Sequence, residues 1–196
     1  MYLWPRVIEE KWSAVNGTVK VYEFLGKKSI SVDNLTQSGG LVENIWDKGL
    51  KTVARDKLPV NKVLILGLGG GTAAKLINRR WPETEVTGVD IDPVMVELGQ
   101  KYLGLRDVNI VIADAAEFIK KLKEKFDGVL VDVYQGRNIP ESVTSVEFLK
   151  NLKKQSRWII FNRLKTNKEF RKSLEAVWTG YRIINTPANE LLLVQL

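Results

Sequence analysis

Val63-Leu64-Ile65-Leu66-Gly67-Leu68-Gly69-Gly70-Gly71-Thr72 decides how the rest of the chain is read. Four apolar residues run into a loop with four glycines in five positions, and a helix-like run from Ala73 to Trp81 follows at once. Strand, glycine turn and helix in that order are how an open α/β sheet receives a nucleotide-like ligand. Bare backbone at the glycines permits a tight turn, lets a ligand approach the chain, and lets the helix lie close to the strand. Thr72 and the free N–H groups of the first helical turn then face the ligand.

Downstream of this stretch the pattern alternates regularly. The spacing predicts strands at 63–66, 85–90, 108–112, 127–133 and 157–162, each followed by a helix, at 72–81, 93–103, 115–124, 143–154 and 167–178. Such units imply a parallel sheet with right-handed crossovers. Two last strands, 181–185 and 190–195, are joined by Asn185-Thr186-Pro187-Ala188-Asn189. That connection is too short for a crossover, so they must pair as a hairpin and one must run antiparallel. Upstream, Thr18–Leu25 and Ser29–Asp33 read as strands around Gly26-Lys27-Lys28, with Arg6–Val15 as a third before Asn16-Gly17. Asp33–Gly40 reads as a polar loop. Leu41–Lys57 reads as a helix closed by Pro59, with Leu41, Ile45, Leu50 and Val53 as core positions.

Composition narrows the chemistry. The 196 residues, 44% hydrophobic, suit one ordinary domain with a small appendage. No apolar run reaches the roughly 18 residues that span a bilayer, and residues 1–10 lack the order of a secretory signal. A cytoplasmic protein with no membrane partner is the expectation. Cysteine and histidine are absent, which excludes disulfides, thiol nucleophiles and histidine bases and leaves no basis for a metal site. The net charge is +7, with cations in helix-like runs: Lys120, Lys121, Lys123 and Lys125; Lys150, Lys153, Lys154 and Arg157; Lys165, Lys168, Arg171 and Lys172. These read as solvated helix faces; aromatics are not interleaved as a nucleic-acid stacking platform needs.

Acids at strand ends carry the site reading. Asp90 lies 23 residues past Gly67 and ends the second strand, where an acid accepts hydrogen bonds from ribose hydroxyls. Asp92, before Pro93, is a helix N-cap. Asp114 suits a contact to an adenine amino group, and equally an N-cap with Glu117 three residues on. Asp132 ends the apolar fourth strand and must emerge beside the ligand crevice. Beyond it, Val133-Tyr134-Gln135-Gly136-Arg137-Asn138-Ile139-Pro140 is long enough to cover a substrate.

VLILGLGGGT, VTGVDIDPVMVELGQKY, VIADAAEFIK and FDGVLVDVYQG…IPESVTSVEFLKNL together resemble the spermidine/spermine synthase family. The resemblance covers residues 60 to 155, and Asp33…Gln37-Ser38 more loosely. It implies an α/β, Rossmann-like class I methyltransferase fold: a mostly parallel seven-stranded sheet, an antiparallel C-terminal hairpin and a small N-terminal β segment. Residues 1–57 would form that segment with a linker helix, and 58–196 the S-adenosylmethionine-binding domain. S-adenosylmethionine or its decarboxylated form would be the cofactor, with no metal. The loop of Gly67, Gly69, Gly70 and Gly71 would hold its amino-acid end. Asp90 would bind the ribose, Ile91, Asp114 and Ala115 the adenine, and Gln37 would lie near the sulfonium. Asp132 matches the catalytic acid that helps deprotonate an attacking amine, with Tyr134 and Gln135 in the substrate loop. A small-molecule amine and a homodimer are the implied partners.

Three departures stand out. The family reads GGGDG where this chain has Gly70 at the acid position, and a second acid after the fourth strand where this chain has Gln135. Its Tyr-His-Glu or Tyr-Gln-Glu stretch has no match in Leu41–Leu50. Transfer of an aminopropyl or methyl group to an amine is the leading expectation. An inactive binding scaffold, a nucleic-acid methyltransferase and a dinucleotide-dependent oxidoreductase are the competing ones.

Overall fold

The computed structural model describes residues 4–136, 138–164, 168–187 and 189–196. Arg137, Lys165, Ala188 and the predicted helix start at residue 167 lie outside the described residues.

The sequence separates into two sheets. The first is an antiparallel meander of β1 (Arg6–Ser13), β2 (Gly17–Phe24), β3 (Lys27–Val32) and β4 (Leu35–Gly39), in that order. β4 occupies the stretch expected to be a polar loop. The reason is local: Asp33 and Asn34 both take positive φ, 49° and 59°, and close a two-residue turn that pairs Val32 with Leu35. Asp and Asn tolerate that backbone region, and such a turn matches the twist of a hairpin.

Helix α1 (Leu41–Arg55) leads to the second sheet, whose strands are β5 (Lys62–Leu66), β6 (Glu85–Asp90), β7 (Asn109–Ile112), β8 (Phe126–Val131), β9 (Ser156–Leu164), β10 (Arg182–Asn185) and β11 (Asn189–Gln195). Their spatial order is β10-β11-β9-β8-β5-β6-β7. β5 pairs in parallel with β6 and β8, β6 with β7, and β8 with β9, while β11 is antiparallel to both β9 and β10. The seven strands, the parallel core and the antiparallel C-terminal hairpin are those expected from the sequence. Between them run α2 (Thr72–Arg80), α3 (Pro93–Leu98, continued by a π-helical turn at Gly99–Leu103), α4 (Ala115–Lys121), α5 (Val146–Gln155) and α6 (Lys168–Glu175). Among the described residues no helix is long and apolar enough to cross a membrane.

Each face of the large sheet has its own core. α1 and α2 cover one face, where Trp46, Leu50 and Val53 pack with Ile65, Ile77, Leu130 and Trp158. α4, α5 and α6 cover the other, around Leu64, Val129, Phe148, Phe161 and Leu174. α1 differs from expectation at its start: Leu41 is 75% exposed, and Trp46 takes the fully buried place instead. A third apolar cluster joins Val19, Val21, Ile30 and Val32 of the small sheet to Met95 and Leu98 of α3. Asp92 fastens the same seam. Its carboxylate caps α3 by accepting from Val94 N at 2.9 Å, and it also takes Ser13 Oγ at 2.6 Å and Asn16 Nδ2 at 2.7 Å, fully buried. The cap predicted from Asp92-Pro93 is present, and the same side chain ties the two sheets together.

Candidate functional site

Strand order reverses direction at β5, whose neighbours β6 and β8 lead the chain to opposite sides of the sheet. Ligands of open α/β sheets bind in the crevice that opens at the carboxyl ends of strands beside such a reversal. A cavity of about 470 Å³ lies there. β5 is followed by Gly67, whose φ is +84° and whose added Cβ would stand 2.3 Å from the carbonyl oxygen of Asp132. Any side chain at this position would push β5 and β8 apart, so the glycine is a condition of their close approach.

The glycine run divides by role. Gly67 and Gly69 line the cavity; Gly70 and Gly71 are not among its described lining residues. A Cβ on Gly70 would meet Ile30 and Leu103 at 2.8 Å, and one on Gly71 would come within 2.5 Å of Leu105. Among the described residues, the first half of the run borders the cavity. The second half packs α2 against α3 and the small sheet, with Gly70 N donating to Ser38 Oγ at 2.8 Å and Gly39 N donating to Thr72 Oγ1 at 2.7 Å.

Over β6 and β7 stand Asp90, Ile91, Asp114 and Ala115, all lining the cavity. Asp90 holds the loop in place: its Oδ2 accepts from Gly69 N at 2.6 Å and its Oδ1 from Asp92 N at 2.9 Å. Burial pushes its carboxyl above the ordinary range, while those two N–H groups pull it back. Asp114 Oδ1 caps α4 by accepting from Ala116 N at 2.8 Å and Glu117 N at 2.9 Å. The capping reading of Asp114 is therefore present, and the residue also borders the cavity.

Over β8, β9 and β11 lies a second polar centre. Asp132 Oδ2 accepts from Trp46 Nε1 at 2.8 Å and Oδ1 from Asn162 Nδ2 at 2.8 Å. Asn162 Oδ1 in turn accepts from Asn189 Nδ2 at 2.7 Å. Tyr134 OH and Arg163 Nη1 both donate to the Asn162 carbonyl, at 3.2 and 2.8 Å. Burial raises the Asp132 carboxyl above its usual range; the Trp46 and Asn162 hydrogen bonds and the Arg163 charge oppose it. Arg163 is itself buried, 4.3 Å above the Phe170 ring, and burial lowers its guanidinium to about 10. Burial likewise raises the Tyr134 phenol. Gln37 lines the cavity and donates to the Gly136 carbonyl at 3.1 Å, and Gln135, also lining, pairs its backbone with Asn138.

Trp46, Asn162, Asn189 and Arg163 are the residues that sequence reasoning passed over. The contribution of Trp46, Asn162 and Asn189 depends on contacts across 27 to 86 residues of chain. One local signal was available for Asn162 and Arg163, which are polar residues inside the apolar strand Trp158–Leu164.

The electrostatic character of the cavity is uneven. Asp90, Asp114 and Asp132 border it, and no lysine or arginine is among its described lining residues, in a chain of net charge +7. Phosphates would find no cation among these described residues; a cationic or neutral ligand would find three carboxylates. Among the described residues no group of three or more acids could hold a metal ion.

Strand order, glycine turn and strand-end acids together define a class I methyltransferase fold, and the family described as "Methyltransferase domain" matches residues 63–154. The chain is 40% identical over 138 residues to polyamine aminopropyltransferase 2 of Aquifex aeolicus, an alignment covering 64% of this chain and 28% of that one. It is 32% identical over 123 residues to the eEF1A lysine and N-terminal methyltransferase homolog of Drosophila melanogaster, covering 59% of this chain and 18% of that one. A probable spermidine synthase from Corynebacterium glutamicum superimposes with a TM-score of 0.81 at 16% identity, covering 97% of this chain and 79% of that one. With its small antiparallel sheet included in that superposition, this chain has the spermidine-synthase-like form of the fold. It spans under a third of the length of either curated relative named here.

Proposed function

We propose that the protein is a transferase that takes a sulfonium nucleoside, S-adenosylmethionine or its decarboxylated form, as donor and an amine as acceptor. The observation that carries this reading is the cavity wall of three carboxylates without a described cation. The volume of about 470 Å³ falls within the range of about 300–1,000 Å³ usual for small-molecule sites.

In this reading the ribose hydroxyls donate to the free lone pairs of Asp90, and the adenine lies between Ile91 and the Asp114–Ala115 corner. The donor's electrophilic carbon is already activated by the positive sulfur. The protein therefore has to orient the reactants, which can supply about 7–11 kcal/mol, and to take a proton. Asp132 suits that last task because burial raises its basicity and Trp46 and Asn162 hold its plane fixed. The aminopropyltransferase relative favours one transferred group and the methyltransferase relative the other. The dinucleotide reading is disfavoured because two phosphates would face acids. The scaffold and nucleic-acid readings have no specific support in the cavity.

Calorimetry with S-adenosylmethionine, its decarboxylated form, methylthioadenosine and NAD tests this. The two sulfonium nucleosides should bind and NAD should not. Asp90→Ala should abolish binding. Asp132→Asn should retain methylthioadenosine but lose turnover by about 100-fold or more. No binding by any adenosyl compound would sink the proposal. We further propose a homodimer built on β1, an edge strand whose Trp12 is 72% exposed and follows Trp4 at 80%. Light scattering showing a monomer for the intact protein would refute it.

A further inference from the structure

We propose that the acceptor is a monoamine, a single basic nitrogen on a hydrocarbon or aromatic body, and not a diamine or polyamine; this deepens the donor assignment above and rests on it. The strands divide the cavity. β6 and β7 carry the ribose and adenine contacts, so the acceptor must enter over β8, β9 and β11, roughly 10–15 Å away at about 4.8 Å per strand step. On that side Asp132 is the one carboxylate among the described lining residues. One ammonium can be met there, and a second would find no further carboxylate among the described lining residues.

Apolar groups stand beside that polar centre: Val42, Ile45 and Trp46 from α1, Pro140 from the loop, and Leu164 from β9. Leu35, Leu41 and Leu164 rim the mouth at 37%, 75% and 45% exposure. Clustered exposed leucines on a cavity rim form a surface that a ligand's apolar part would cover. Two acids on the adjoining elements are already engaged. Asp47 is paired with Arg80 and Lys51, both at 2.7 Å, and Glu190 receives Arg171 Nη2 at 2.9 and 2.7 Å. Two of the lining amides are occupied as well, since Asn162 binds Asp132 and Asn189 binds Asn162. A distal ammonium stripped of water without a counter-charge is strongly disfavoured, whereas a hydrocarbon tail gains from the same wall.

In the transfer, the nitrogen lone pair forms the new C–N bond as the C–S bond breaks. The bonding pair stays on sulfur, giving a neutral thioether. The proton lost by the nitrogen passes to Asp132 and then to solvent.

The test uses the full chain with each sulfonium donor in turn, against n-hexylamine and phenethylamine on one side and putrescine and cadaverine on the other. Product is followed by mass spectrometry. Monoamines should exceed diamines by about 100-fold in kcat/KM, the scale on which one unmatched group discriminates. Gln135→Asp, which adds a carboxylate beside the cavity, should narrow that ratio at least tenfold. Equal or better use of diamines, or donor binding with no alkylation of any monoamine, would overturn the inference and leave the donor reading standing. Absence of nucleoside binding in calorimetry overturns both. Amine titration of the methylthioadenosine-loaded protein gives the same ordering without relying on turnover.

Discussion

Asp90 and Asp132 show how a carboxylate is kept ready beside a cavity. Each has both oxygens engaged by N–H donors, and for each burial outweighs those donors and raises the carboxyl above its ordinary value of 3.8. In the folded protein these groups hold their protons to higher pH than in the unfolded chain. Stability therefore falls as pH rises from about 3.8 through the raised values. A positively charged ligand reverses the balance by favouring the ionised forms. S-adenosylmethionine should accordingly bind more tightly as pH rises through those raised values, while neutral methylthioadenosine changes less; calorimetry as a function of pH checks this. Both acids were legible in the sequence because a carboxylate that closes an apolar strand has to surface at the strand's end, where the crevice of such a sheet opens. Trp46 and Asn162 were not, since an indole in a helix and an amide in a strand look like ordinary core residues until the fold brings them to Asp132.

At the scale of elements, regular hydrophobic spacing located every strand and helix of the large sheet to within a few residues. It failed where turn chemistry or neighbours decided the outcome. β4 was hidden by its polar composition, and the Asp33-Asn34 turn was the overlooked sign. The expected helix at 93–103 widens into a π turn at Gly99, whose backbone lies against Gly70 so closely that a Cβ would stand 2.6 Å from Gly70 Cα. No local periodicity encodes that contact. A similar demand sits inside β8. Gly128 lies opposite Trp158 of β9, and an added Cβ would overlap the indole at 2.0 Å. Trp158 is pinned by its own hydrogen bond to the Pro59 carbonyl at 2.8 Å and cannot swing aside cheaply. Gly128→Ala should cost about 1–3 kcal/mol, as overpacked cores do, seen as a lower urea midpoint with an unchanged slope.

For the whole molecule, the question is how two sheets come to share one cavity. The seam combines an apolar cluster with the buried carboxylate of Asp92. Asp92→Ala removes a helix cap, worth about 1 kcal/mol, and strands the Ser13 hydroxyl and Asn16 amide, at about 1–3 kcal/mol for a buried donor. The variant should unfold at lower temperature, and scanning calorimetry should show the small sheet releasing before the large one. The resemblance to a known fold was visible in the glycine loop and strand-end acids, but the seam was not, because Ser13 and Asp92 lie 79 residues apart. The seam also reaches the glycine loop, through Gly70 N to Ser38 and Gly39 N to Thr72. Those two amide protons are held by hydrogen bonds that cross the seam, so their exchange reports on its opening. A bound nucleoside resting on Gly69 would slow the deuterium uptake of both, turning occupancy of the cavity into a kinetic signature shared by the glycine loop and the last strand of the small sheet.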